Sequence, residues 1–488
     1  MAEDVAGGVA GDVPGLAPSA ALAPVRRVSL PNAVLFALVA GQVCLHSSMA
    51  GLRLALPLML LRQGGWAGWP AEAVAGLLLG LFAVAPVMLA LPAGRWADRR
   101  GYHKPVSAAV TMGIVGGLLG AVAVALGPLL PGGGQAPLSG LSALQGLLLV
   151  LAATLIGTGC NVGLITVQRT AGRLAEGDAV PGRSSEQTSA ELKRVFSWLG
   201  LAPALGNVGG PLLVGVLIDS VGFTWACAFM SLLPLGMAWW ARRIPRERPR
   251  STPTGHPELQ DASASASGAG HQASGGAAAL RSEAATAEAR PAAGSRGGGV
   301  RDLLAVPGIR RLLTINWFFS ASWDLHGFVV PLLGHERGMS ASAIGTVLGL
   351  FAASVALVRV LIPLLASRLH ERQVLVGAMS VVATVFAVYP LALTATQMGA
   401  CAVVLGLALG SVQPMIMTAL HHLAPPHRQG EAIALRAAVI NLSSSVLPMG
   451  FGLVGAALGP SLLFRGMALV LLCGLPLVLR LKTTEPSP

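Results

Sequence analysis

The chain has 488 residues, 53% of them hydrophobic and 11% charged, with a mean hydropathy of +0.69. A soluble protein carries about 25% charged residues, so a soluble fold is excluded and most of the surface is expected to face lipid. The formal charge of +12 lies between apolar runs, which excludes nucleic acid as a partner and reads as membrane topology.

Residues 1–30 form a Pro-, Ala- and Gly-rich tail that ends in Arg26-Arg27 and is expected to be disordered. The apolar run that starts near residue 33 has no evident cleavage site and reads as a retained first span. About twenty apolar residues cross a hydrocarbon layer of roughly 30 Å. Spans 1 to 6 are expected near 33–60, 73–94, 106–128, 143–166, 195–218 and 222–241, in a first bundle at 31–241. Between the bundles, 242–305 opens with Arg242, Arg243, Arg246, Arg248 and Arg250 and continues as ASASASGAG and GGAAALRSEAATAEAR. Such a stretch cannot bury enough apolar surface to fold, so it is expected to be a flexible cytoplasmic linker. Spans 7 to 12 are expected near 312–334, 341–365, 373–395, 398–419, 431–458 and 461–480, in a second bundle at 306–482, with a short tail at 483–488. The expected fold is an all-α membrane protein of twelve transmembrane helices in two six-helix bundles.

Charge placement orients this arrangement. With twelve spans, the side that holds both termini takes 27 of the 33 Lys and Arg residues; three (Arg62, Arg337, Arg465) fall on the other side and three (Arg53, Arg359, Arg436) within spans. That asymmetry puts both termini in the cytoplasm of a cell inner (plasma) membrane. The halves also echo each other. Leu79-Gly80-Leu81-Phe82 in span 2 matches Leu348-Gly349-Leu350-Phe351 in span 8, and Leu56-Pro57-Leu58 in span 1 resembles Val330-Pro331-Leu332 in span 7. Transporters built from such repeats place their site near the midplane, between the halves. Cys44, Cys160, Cys227, Cys401 and Cys473 lie in apolar segments without CxxC or metal spacing and read as small hydrophobes.

Between spans 2 and 3 stands Gly94-Arg95-Trp96-Ala97-Asp98-Arg99-Arg100-Gly101-Tyr102-His103-Lys104. Its glycines allow a tight turn, and Asp98 can accept from a helix N-terminus or pair with a cation; a basic loop that only sets topology would also fit. The order of residues resembles the G-x-x-x-D-R-x-G-R-K signature of the major facilitator superfamily, matched at Gly94, Asp98, Arg99, Gly101 and Lys104, with His103 at a usually basic position. The resemblance implies that Asp98 docks on the start of span 11 near Arg436 and latches the cytoplasmic side. The second-half counterpart has Ser367 for the aspartate and His370 for the glycine, so any latch is asymmetric. In span 5, Gly206-Asn207-Val208-Gly209-Gly210-Pro211-Leu212-Leu213-Val214-Gly215 is similar to the G-x-x-x-G-P-x-x-G-G motif of exporting members. It matches at Gly206, Gly210, Pro211 and Gly215 and departs at Val214; ordinary close helix packing would use the same residues. The segment from Pro426 to Ala432, followed by Arg436, Asn441 and Pro448, resembles the superfamily's second cytoplasmic loop. Together these implied matches cover nearly the whole chain apart from tails and linker, and they point toward the drug-efflux type.

Ionisable groups inside spans are costly and mark functional candidates. Asp324 follows Arg311 by thirteen residues and precedes Gly334 by ten, about 20 Å and 15 Å along a helix, which is near the bilayer centre. A carboxylate there suits reversible protonation coupled to transport, or a structural ion pair. Arg53, nine residues before Arg62, reaches a similar depth. Spans 1 and 7 line the cavity in the resembled superfamily, so Arg53 is expected to meet Asp324 across it, or to hold an anionic substrate group. Arg359 in span 8 is the third candidate, as a partner of Asp324 or a packing residue. His46, Gln42, Asn161, Gln168, Trp323, His326, Gln413 and Asn441 rank lower, because a lone polar residue in a span more often bonds another helix. Trp317, Phe318 and Phe319 could stack a guest or pack against neighbours.

The reading is a secondary active transporter: a monomer in the lipid bilayer that takes a small-molecule substrate and protons. Proton-coupled efflux by alternating access is preferred over symport or facilitated passage of a metabolite, and over a transport-inactive receptor or scaffold. No P-loop, HExxH or facial cluster of His, Asp, Glu and Cys occurs, so neither an enzyme nor a cofactor or bound metal is expected.

Overall fold

In hydrocarbon a chain segment must satisfy its own backbone groups, so an isolated apolar run has to become a helix. The computed structural model describes residues 32–66, 68–129, 140–176, 185–246, 300–365, 370–425 and 429–481. Both expected tails, residues 247–299 of the expected linker, Ser367-Arg368-Leu369 and Pro426-His427-Arg428 lie outside the described residues. Among the described residues the elements are helical, apart from an isolated bridge between Trp66 and Trp69.

Span 1 is Asn32–Gln63, span 2 Ala71–Arg100, span 3 His103–Leu126 and span 4 Gly140–Glu176. Spans 5 and 6 share the helical stretch Ser185–Leu232, broken at Gly222 (φ 81°, ψ 170°), and span 6 ends with Pro234–Ala241. A side chain at that backbone angle would be strained, and glycine lets the two spans reverse without a loop. After a short helix at Val300–Ala305, span 7 is Pro307–Glu336, span 8 Ala341–Leu365 and span 9 Glu371–Val388. Span 10 is Ala395–Leu423, span 11 Gln429–Leu458 and span 12 Pro460–Leu479. Ten helices are long and apolar enough to cross a membrane by composition alone, and one of them, Trp198–Ala241, is the bent pair of spans 5 and 6. The span that falls short is Pro307–Glu336, where Asn316, Asp324 and His326 interrupt the apolar run. The protein is therefore a multi-pass membrane protein with twelve spans in two bundles of six.

Two faces follow from this threading. The turns that hold the starts of odd-numbered spans carry most of the Lys and Arg residues and form the basic face. Span 4 runs past its apolar stretch to Glu176 on that face, and span 5 begins at Ser185, because extending an existing helix adds one hydrogen bond per residue fixed. The opposite face holds the turns that follow spans 1, 3, 5, 7, 9 and 11.

The halves meet mainly where span 8 packs on span 5 and span 2 packs on span 11. Gly76 in span 2 rests on the carbonyl of Pro448 in span 11, and Gly345 in span 8 rests on the carbonyl of Pro211 in span 5. A Cβ on either glycine would overlap that oxygen. Each stands four residues before the glycine of the repeated Leu-Gly-Leu-Phe, so the sequence echo marks a seam used twice. These contacts lie in the opposite-face halves of the spans, where one apolar core crosses between bundles. The first bundle keeps a separate cluster around Leu38, Tyr102, Val106 and Met237 toward the basic face.

Candidate functional site

At mid-depth the seam between the bundles widens into three cavities that share walls. One of about 100 Å³ is lined by Arg53, Asn207, Pro211, Trp323, Asp324 and His326. A second, of about 290 Å³, continues from Arg53, Trp323 and Asp324 to Asn316, Arg359, Gln413, Arg436 and Ser444. The third, of about 660 Å³, shares Arg359, Gln413 and Arg436 with the second and reaches Trp198 and Gly200 near the basic-face end of span 5. The series thus opens toward the basic face. It stops on the other side where Gly345 seats on Pro211.

Asp324 is buried in span 7. The Ser444 hydroxyl of span 11 donates to its carboxylate and lies 3.0 and 3.2 Å from the two oxygens. Arg53 reaches the same two cavities from span 1 and acts on Asp324 through its charge. Among the described residues no contact within 4 Å joins the two as an ion pair. Arg359 lines the same cavity but bonds elsewhere: its Nη2 donates to Gln413 Oε1 of span 10 at 2.7 Å. Arg436 does not stand with Asp98 in this conformation. The turn of span 11 points it into the cavity, where its Nε donates to Asn316 Oδ1 of span 7 at 3.0 Å and its Nη1 lies 3.4 Å from Met417 Sδ.

The lower-ranked polar residues divide. Gln413 and Trp323 line the cavity. His326 is clamped between Phe351 (centroids 4.3 Å apart) and the Tyr389 hydroxyl, 3.3 Å from its Nε2. His46 sits 3.3 Å from Cys160 Sγ, and Asn161 donates to the Pro86 carbonyl at 3.2 Å. Phe319 faces the cavity, whereas Phe318 packs on Gly474 of span 12.

The span 5 glycines are contact points on two sides. Gly206 and Gly210 press on span 1 at His46 and Ser47, and Gly215 presses on the Ala341 carbonyl at the start of span 8. Four residues further on, at the opposite-face end of the span 5 helix just before the break at Gly222, Asp219 completes this seam. Its oxygens accept the backbone N–H groups of Ala341 at 3.0 Å and Ser342 at 2.7 Å. Ser340 Oγ accepts the next one, from Ala343, at 3.2 Å. Three orphan donors of a helix start are thereby satisfied. Burial works against ionising Asp219, but the hydrogen bonds from Ser342, Ala341 and Ser340 outweigh it and hold the carboxyl below its usual range. Also at the opposite-face turns, burial and then the charge of Glu72 raise the Glu336 carboxyl, against a smaller lowering by Arg337.

On the basic face, Gly101 makes its turn at φ 70°, and Arg99 and Lys104 are exposed. Gly94 has open space where a side chain would stand. Asp98 pairs with Arg169 of span 4 at 3.1 Å and is itself 69% exposed.

Three residues of this arrangement escape a reading of the sequence: Asp219, Asn316 and Ser444. Asp219 does carry a signal, an acid at the end of an apolar run set against Ser340-Ala341-Ser342 at the start of another. Asn316 and Ser444 carry none, because a serine or asparagine in a span ordinarily bonds its own helix or a neighbour.

The sequence matches the family model described as Major Facilitator Superfamily over residues 38–309 and 312–488. No curated protein matches. Among solved structures the chain is similar to a bacterial metal transporter at 14% identity, covering 92% of this chain and 98% of that one, with a TM-score of 0.61. A bacterial homologue of the iron transporter ferroportin in an inward-facing state is similar at 16% identity, with coverage of 92% and 98% and a TM-score of 0.61. A POT family transporter in complex with a thioalcohol conjugated peptide is similar at 14% identity, with coverage of 91% and 95% and a TM-score of 0.62. At these identities the likeness is one of fold.

Proposed function

Because the chain belongs to the major facilitator superfamily, we propose that it is a secondary active transporter that exports a small molecule by alternating access, driven by protons. The observation that carries this reading is Asp324, a buried carboxylate at mid-depth in the inter-bundle cavity, facing Arg53 of the other half. The basic face is the cytoplasmic one, with both termini there and the protein in the plasma membrane as a monomer. The conformation described is then inward-facing, since its cavities lead to that face.

Asp324 is bonded to the second half through Ser444 and attracted to the first half through Arg53. Adding a proton to the carboxylate removes that attraction and changes the relative free energy of the two rocked positions. On rocking, the seats of Gly76 and Gly345 and the Asp219 contact part. The loop from Gly94 to Lys104 closes on the start of span 11, and Asp98 leaves Arg169 to do so. Export is supported by the resemblance of the span 5 glycine and proline positions to the motif of exporting members; of these, Pro211 and Gly215 meet span 8 across the seam, and Gly206 and Gly210 pack on span 1.

The test uses proteoliposomes of the full chain, screened with a panel of small solutes under an imposed pH gradient. Asp324→Asn should lose gradient-driven flux of any solute carried by the parent while keeping its counterflow. Gradient-driven flux equal to the parent's would remove the coupling role.

A further inference from the structure

Building on the transporter reading, we propose that the solute is an organic anion whose carboxylate or phosphate is gripped between Arg359 and Arg436. The cavity of about 290 Å³ is lined by three guanidinium groups, Arg53, Arg359 and Arg436, and by one carboxylate, Asp324. Arg53 stands opposite Asp324, and among the described residues the other two arginines have no counter-charge. Their recorded partners are neutral: the Gln413 amide oxygen for Arg359, and the Asn316 amide oxygen and Met417 sulfur for Arg436. A guanidinium offers five N–H donors, so both keep donors for a guest.

Two unmatched cations in a membrane cavity are costly and add nothing that apolar packing would not supply better. An anion removes the cost for as long as it is bound. Arginine is the suitable residue, because its planar fork matches the oxygens of a carboxylate or phosphate. The placement also fits. Arg359, Gln413 and Arg436 form the shared wall between this cavity and the one that leads to the basic face, so an anion arriving from that side meets them before Asp324. Beside them Asn316 is 4% exposed, and its buried amide nitrogen has no partner among the described residues. Phe319 and Trp323 line the cavity and suit a flat or apolar body. A cationic solute, a metal ion included, would meet net positive charge.

The experiment measures binding to the purified full chain in nanodiscs by equilibrium dialysis, with benzoate, phenyl phosphate, benzamide and benzylamine as size-matched probes. Benzoate or phenyl phosphate should bind at least tenfold more tightly than the amide and the amine. Which of the two binds better tells carboxylate from phosphate recognition. Arg359→Gln and Arg436→Gln should each weaken the anion at least tenfold, and Arg359→Lys and Arg436→Lys should restore part of it. The selectivity of the parent chain needs no variant and stands even if a glutamine variant misfolds. Amide or amine binding that matches the anions overturns the inference, as does no binding by either anion, or folded glutamine variants that bind like the parent. Selective anion binding with no counterflow of the bound anion in proteoliposomes upholds the inference and sinks the transporter reading instead.

Discussion

Asp219 is the contact whose removal has the clearest consequence. It accepts two backbone N–H groups of span 8 from the far side of the inter-bundle seam, so the bond exists only while the opposite face is shut. A side-chain cap of this kind contributes about 1 kcal/mol. The charge at a helix N-terminus adds about 0.3 kcal/mol, the low end because Asp219 is exposed. Losing both changes the ratio of closed to open forms about five- to tenfold, since about 1.4 kcal/mol is a factor of ten. Leu348 lines the cavity behind the Gly345 seat and serves as the reporter. In a background without the five native cysteines, Leu348→Cys is labelled from the opposite face with a membrane-impermeant maleimide. Asp219→Ala should raise the labelling rate about five- to tenfold, and Asp219→Asn by less. A rate within about twofold of the parent, in a variant that stays folded, would refute the reasoning. The pH dependence has a defined sign. The closed form holds this carboxyl below its usual range, so the bond is fully present above that range and is lost only as pH falls through the lowered value. The ratio of the Asp219→Ala rate to the parent rate should therefore be flat from about pH 8 to about pH 5.

Gly345→Val puts side-chain atoms onto the Pro211 carbonyl, so the opposite face should fail to shut, with fast Leu348→Cys labelling and flux near zero; normal flux would contradict the seam. Asp98→Asn breaks only an exposed pair with Arg169, worth under about 1 kcal/mol. Its melting temperature should stay near the parent's while transport falls at least tenfold, and a fully active variant would remove the loop from the gating cycle. Glu336 is raised by burial and by Glu72, with Arg337 lowering it less. A group raised in the closed form holds its proton more tightly there, so closure should gain as pH falls through the raised value and lose that gain as pH rises. In Glu336→Gln the acid-side slowing of Leu348→Cys labelling should disappear; an unchanged pH profile counts against this linkage.

Some of the site was legible because depth along a helix is a one-dimensional quantity. Asp324 lies between Arg311 and Gly334, and about 1.5 Å per residue places it mid-span whatever its neighbours are. The same counting put Arg53 at its level, and both reach one cavity. Direction around the helix axis is not read this way. Arg436 follows a basic-face loop in sequence and suggests a gate, yet its helix turns it toward Asn316. Arg359 shares a cavity with an acid and takes Gln413 instead. Pairings of that kind depend on the rotation and tilt of two helices at once.

Taken alone, the sequence determined the number and approximate positions of the spans, the basic face and the internal echo. Lipid permits one backbone solution for a long apolar run, and hydropathy and charge are counted along the chain. The tertiary structure decided which side chains meet. Gly80 and Gly349 can be seen to repeat, but that the glycines four residues before them seat on Pro448 and Pro211 follows only from how the bundles pack. Packing energy belongs to pairs of surfaces, and no property of one helix specifies the azimuth at which its neighbour arrives.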